Sequence, residues 1–213
     1  LLGGLVALYW ADLPQPWLWV CLLSAGILGG ALWALIPAFF KIRFGMSEII
    51  ATLMLNYIAI LLMIYLTRKP LQEPGGVLPV SARFAAATQL PTLPDTRIHL
   101  GVFLAFLLVP LVYVLLWKTP LGFRLRAVGS SALVAQMVEF YDRGVILLIS
   151  GGLSGLAGIM EVLMIHTRLK GAISGGYGFS AVLVALLGRN NPWGVAVASL
   201  FFAALIIGAE TMH

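Results

Sequence analysis

Long apolar blocks, separated by shorter gaps that collect the charges and most of the prolines, order this 213-residue chain. A helix that crosses a bilayer needs about 20 apolar residues, or about 17 at the short end. Residues 17–40, 49–66, 100–117 and 144–165 meet that length and predict four full spans. Residues 1–10 are apolar but short, like the cut end of a span, and are broken by Asp12, Pro14 and Pro16. The C-terminal part is less regular: residues 171–179 are glycine-rich, 181–187 are too short to cross, 188–192 form a turn, and 195–209 are apolar up to Glu210. A short apolar segment beside a Gly/Pro turn predicts a broken or re-entrant helix. The expected fold is therefore all-α, a polytopic transmembrane helical bundle forming one domain over residues 1–213. Residues 67–98, with five prolines, read as a loop without a core of its own. The chain opens at Leu1 and stops just past an apolar run, so it reads as a fragment truncated at both ends.

Composition narrows the class further. Hydrophobic residues make up 61% and charged ones 10%, with a mean hydropathy of +1.03. A soluble domain carries roughly 25% charged residues, so a soluble enzyme is excluded, and the single cysteine, Cys21, excludes a disulfide scaffold. The net charge of +5 lies in the gaps between apolar blocks, with no basic stripe interleaved with aromatics, so nucleic acid is not an expected partner and membrane lipid is. Counting basic residues in alternate loops does not orient the chain. Lys41, Arg43, Lys118, Arg124, Arg126 and Arg143 fall on one side, and Arg68, Lys69, Arg83, Arg97, Arg168 and Lys170 on the other.

Candidate chemistry is sparse. His99, His166 and His213 are scattered at segment ends, so no metal site is expected, and no phosphate-cradling G-x-x-x-x-G-K-[ST] run occurs. Glu48, Thr52 and Asn56, spaced i, i+4, i+8, share one helix face. A polar group inside a span costs several kcal/mol unless it is satisfied, so this face should turn inward, either as interhelical glue or as the lining of a polar-substrate path. Ser150, Ser154, Gly158 and Glu161 also share a face. The Gly151/Gly155 and Ser154/Gly158 spacings suit close helix packing. Glu161 is either a pathway residue or a group that reaches the interface or pairs with Arg168. Thr119 and Pro120 predict a helix start, with the hydroxyl as cap and proline in the first turn, and Gly129 a stop. The element between them carries Arg124 and Arg126, and a second polar stretch follows through Ala132, Ala135 and Glu139. Such a pair between two spans suits either the docking of a peripheral partner or a plain solvated loop.

Four stretches carry a family resemblance. Residues 119–129, Thr-Pro-Leu-Gly-Phe-Arg-Leu-Arg-Ala-Val-Gly, resemble the coupling loop of ATP-binding-cassette (ABC) permeases of the branched-chain amino acid, simple-sugar and nucleoside family. Residues 47–57, 150–158 and 176–192, the last ending in Gly188-Arg189-Asn190-Asn191-Pro192, are similar to three further motifs of that family, in the same order. The likeness is greatest to the nucleoside and simple-sugar branch. Two departures stand out: Ser130-Ser131 replaces the usual Asn-Pro after Gly129, and Glu139 stands where the family has glycine.

The resemblance implies a multi-pass permease of the bacterial cytoplasmic membrane that imports nucleosides, with a sugar such as ribose or galactose as the alternative substrate. It implies no covalent chemistry and no cofactor on this chain, ATP being bound by a partner. The implied partners are a cytoplasmic ATPase subunit, a second homologous permease and an extracytoplasmic substrate-binding lipoprotein. Residues 118–143 become the cytoplasmic coupling loop, with Thr119 and Pro120 starting it and Gly122, Arg124, Arg126, Gly129 and Ala135 in the docking role, and 67–98 become extracytoplasmic. An ion-coupled secondary transporter should show an internal repeat, and a membrane-embedded enzyme a nucleophile–base or metal set; the sequence shows neither.

Overall fold

The computed structural model describes residues 1–75, 78–88, 99–130, 140–171, 173 and 175–211. Five of its helices are long and apolar enough to cross a membrane: Gln15–Phe44, Glu48–Arg68, Gly101–Lys118, Gly144–His166 and Pro192–Ala209. The helices are α1 (Leu2–Tyr9), α2 (Gln15–Phe44), α3 (Glu48–Arg68), α4 (Leu100–Lys118), α5 (Pro120–Ser130), α6 (Phe140–Glu161), α7 (Tyr177–Leu187) and α8 (Pro192–Thr211). They fall into two units, α1, α2, α3 and α6 in one and α4, α5, α7 and α8 in the other.

Local chemistry sets the ends of α2. Pro16 stands in its first turn, where a missing N–H costs nothing. At the other end Gly45 adopts a left-handed φ of 64° and donates its N–H to the Lys41 carbonyl at 3.1 Å, while Lys41 and Arg43 place positive charge at the carbonyl end. Three residues later α3 begins, and Glu48 in its first turn meets Lys41 Nζ at 3.3 Å.

In the first unit α2 and α6 run antiparallel: Ile42 lies by Gly144, Gly30 by Gly151 and Gly155, and Gly26 by Ile159. Backbones touch at this crossing. A Cβ on Gly30 would stand 2.7 Å from Gly155 Cα and against the Gly151 carbonyl oxygen, and one on Gly155 would stand 2.9 Å from Gly30 Cα. The 151/155 spacing thus makes a close approach to a matching 26/30 spacing on α2. Ser154 and Gly158 lie on an exposed side of α6, and a Cβ on Gly158 would meet nothing within 4 Å.

The core of this unit gathers where α2 begins and α6 ends. Leu18, Leu22, Ile159, Val162, Leu163 and Leu169 are buried there with Ala7 of α1. Leu71 and Phe84, from the polar stretch after α3, join the same cluster, so the described part of residues 67–98 contributes two buried side chains to the core of the bundle, while others of the stretch, such as Leu78 and Arg83, stay exposed. Hydrogen bonds fasten the stretch, two between backbones and one to a hydroxyl: Ser81 N–H donates to the Leu169 carbonyl at 2.9 Å, Phe84 N–H donates to the Thr167 carbonyl at 3.0 Å, and Leu169 N–H donates to Ser81 Oγ at 2.8 Å. Arg168 Nη1 lies 3.4 Å from Glu73 Oε2.

In the second unit α7 has only 11 residues, about 16 Å at 1.5 Å per residue and half the ~30 Å hydrocarbon thickness. It ends in a tight corner where Arg189 and Asn190 both hold φ at 54°. Asn191 Oδ1 accepts the Trp193 N–H at 3.2 Å and Pro192 opens α8, a cap and first turn of the expected kind. The predicted break thus takes the form of a half-length helix, a corner and a span-length helix.

Candidate functional site

The segment after α4 turns at Thr119. Its Oγ1 accepts the Gly122 N–H at 3.2 Å and donates to the Leu115 carbonyl at 2.5 Å, so one hydroxyl caps α5 and ties it to the last turn of α4. Pro120 takes the first helical position. Gly122 is buried against the α4 terminus, where a Cβ would collide with the carbonyls of Leu115 and Leu116. Arg124 is exposed, and so is Phe123, at 67%. Arg126 places its Cζ 5.3 Å from the centre of the Trp117 ring, which stacks on Tyr113 at 5.1 Å and 11°. The helix extends through Ser130, one residue past the stop expected at Gly129, and Ala135 lies outside the described residues. Both arginines are exposed, and Arg126 also overlies an aromatic ring. The exposed Phe123 and the Tyr113–Trp117 pair had no place in the sequence reading. The i, i+4 spacing of two aromatics was the available signal.

The intramembrane polar residues fall in the other unit. Thr52 Oγ1 donates to the Glu48 carbonyl at 2.8 Å and to that of Ile49 at 3.2 Å. Thr52 and Asn56 are exposed on this chain, whereas Ala51 is the buried position of that turn. The face expected to turn inward therefore turns away from its own unit.

Glu161 ends the α-helical part of α6, where the backbone widens into a π turn over Val162–His166, a feature frequent at functional sites. His166 Nε2 lies 3.5 Å from Glu161 Oε1, yet that buried oxygen receives no aligned hydrogen bond. His166, rather than Arg168, is its neighbour, Arg168 being paired with Glu73.

The capped basic helix between two span-length helices, the glycine-mediated α2–α6 contact and the α7–α8 break occur together in one chain. Over residues 1–211 the chain matches the family described as branched-chain amino acid transport system / permease component. The chain belongs to that family. It is 36% identical over 230 residues to the glucose ABC transporter permease protein TsgB13 of Haloferax volcanii, covering 100% of this chain and 60% of the relative. It is also 36% identical over 201 residues to the guanosine ABC transporter permease protein NupP of Bacillus subtilis, covering 91% and 57%. A third relative is the nucleoside ABC transporter permease protein NupB of Lactococcus lactis, 26% identical over 219 residues, covering 97% and 60%. The chain spans at most 60% of the length of these relatives. No solved structure matches it. As a permease component it is a multi-pass membrane protein, and its five span-length helices accord with that.

Proposed function

We propose that the chain is the membrane-spanning part of an ATP-driven nucleoside importer of the bacterial cytoplasmic membrane. The observation that carries this reading is the 36% identity to a guanosine permease over 91% of the chain, which includes the whole capped α5 element in a chain of span-length helices. In this reading α5 receives a cytoplasmic ATPase subunit, which binds and hydrolyses the ATP. A second, homologous permease completes the membrane part, and a binding lipoprotein outside delivers the nucleoside. The chain itself does no covalent chemistry. Closure of the ATPase pushes α5, and the spans switch from outward to inward access. Such a switch needs unequal substrate affinity in the two states, and the face of Glu48, Thr52 and Asn56 supplies hydrogen-bonding groups for it, with Glu161 a further polar group on the path. A simple-sugar importer is the second reading, favoured by equal identity to a glucose permease over the full chain.

The test is uptake of labelled guanosine and labelled glucose by the full-length permease with its partner subunits, beside an ATPase-dead control. ATP-dependent guanosine entry supports the first reading. Glucose entry alone replaces it with the second. Entry that ignores the control overturns both.

A further inference from the structure

Three contacts, at residues 119, 122 and 126, press one side of α5 onto the end of α4. Their i, i+3, i+7 spacing places them on a single helix face. The first is the Thr119 hydroxyl, bonded both to Leu115 and to Gly122. The second is the buried Gly122 against the Leu115 and Leu116 carbonyls. The third is Arg126, whose guanidinium carbon lies 5.3 Å from the Trp117 ring centre, inside the ~6 Å range of a cation–π contact. Trp117 stacks in turn on Tyr113, one turn deeper in the span, with centroids 5.1 Å apart and rings 11° from parallel. Phe123 and Arg124 stay exposed.

The first two contacts hold only the opening turn of α5. An isolated 11-residue helix is marginal in water, and a helix fixed at one end can swing about that end. The ring contact fastens α5 a turn further on, at the seventh of its eleven residues, so its first two turns are held along one face. We infer that Trp117 is a positioning residue of the transport cycle: stacked on Tyr113 and overlain by Arg126, it fixes the angle of α5 on α4, so that force applied to α5 tilts the span instead of being absorbed in a hinge. This inference rests on the reading of α5 as the ATPase-docking element.

The full-length permease, assembled with its ATPase, second permease and binding protein, provides the test. In W117A the ATPase co-purifies as in wild type, while guanosine transported per ATP hydrolysed falls about fivefold, the order of effect of losing one cation–π contact with its stack. W117F retains a ring and recovers most of the ratio. R126Q reproduces the loss, and the W117A/R126Q double variant is no worse than either single one, because both break the same contact. A wild-type ratio in W117A or in R126Q overturns the inference. So does an additive double variant, and so does a loss of co-purification in W117A that matches the loss of transport. R126Q alters an exposed side chain, so with the ATPase co-purifying as in wild type it keeps the test decisive if W117A fails to accumulate; a loss of co-purification in R126Q that matches the loss of transport overturns the inference. Wild-type uptake that ignores an ATPase-dead partner overturns the docking reading itself, whereas ATP-dependent uptake with an unchanged ratio in the variants overturns only the role of Trp117.

Discussion

Replacing Gly30 by alanine adds one methyl group where α2 and α6 lie closest. The new Cβ would stand 2.7 Å from Gly155 Cα and 2.8 Å from Gly155 N, with the Gly151 carbonyl oxygen closer still. Carbon atoms rest about 3.5–4.0 Å apart, so the helices must separate by about 1 Å. Every atom in the way is backbone, so no change of rotamer relieves the contact. Overpacking of this kind costs about 1–3 kcal/mol, and rigid neighbours favour the upper end. Alanine regains about 1 kcal/mol of helix propensity over glycine, leaving a net loss of about 2 kcal/mol. For a chain of this length that lowers the unfolding temperature by about 4–8 °C. Gly158→Ala is the matched control, because its Cβ meets nothing within 4 Å and propensity alone then predicts an unchanged or slightly raised midpoint. The assay is thermal unfolding of the full-length permease in detergent, followed by size-exclusion chromatography. A Gly30→Ala midpoint at or above wild type refutes the backbone-contact reasoning, and equal losses in the two variants refute its assignment to the 26/30 and 151/155 pairs.

Further expectations concern the attached loop and the α3 face. Ser81→Ala removes a fully buried hydroxyl that accepts the Leu169 N–H, an unsatisfied donor worth about 1–3 kcal/mol. Arg168→Ala removes a half-exposed ion pair worth under about 1 kcal/mol. Ser81→Ala should therefore lower the melting midpoint more, and the reverse order would disprove the anchoring role of Ser81. Asn56→Leu should cut guanosine uptake with membrane abundance unchanged; full uptake would remove Asn56 from the path.

Four of the five span-length helices among the described residues, the Thr119–Pro120 start and the Gly188–Pro192 break were legible in the sequence, because apolar run length, capping chemistry and proline act locally. The fifth, α8, was not, since the apolar run at residues 195–209 reaches span length only when residues 192–194 join it. What stayed hidden depended on partners distant in the chain. Leu71 and Phe84 sit among prolines and polar residues, and only the fold shows that they fill the end of the α2–α6 bundle. The 151/155 spacing announced close packing, but the partner at 26/30 on α2 and the exposure of Ser154 and Gly158 required three dimensions. Two arginines in one short basic helix read alike; that one covers Trp117 follows from the angle between α4 and α5, which no local pattern encodes.

Helix α3 makes plain what hydrocarbon demands of a polar side chain. Its buried residues are Ala51 and Thr67, and Ile49, Met54, Tyr57, Ile58, Leu61 and Tyr65 are exposed. Those apolar side chains meet lipid without penalty. The polar residues of the same helix each need a remedy, and three have a local one. Thr67 donates to the Met63 carbonyl at 2.9 Å. Thr52 donates to carbonyls one turn back, and Glu48 sits at the helix end beside Lys41. Asn56 makes no side-chain hydrogen bond among the described residues. A carboxamide facing lipid there costs several kcal/mol, enough to disfavour the residue unless water, a polar substrate or another polypeptide covers it. In the importer proposed above, a translocation path at the boundary with a second permease would supply such cover, which would connect the exposed face of α3 with the proposed import function.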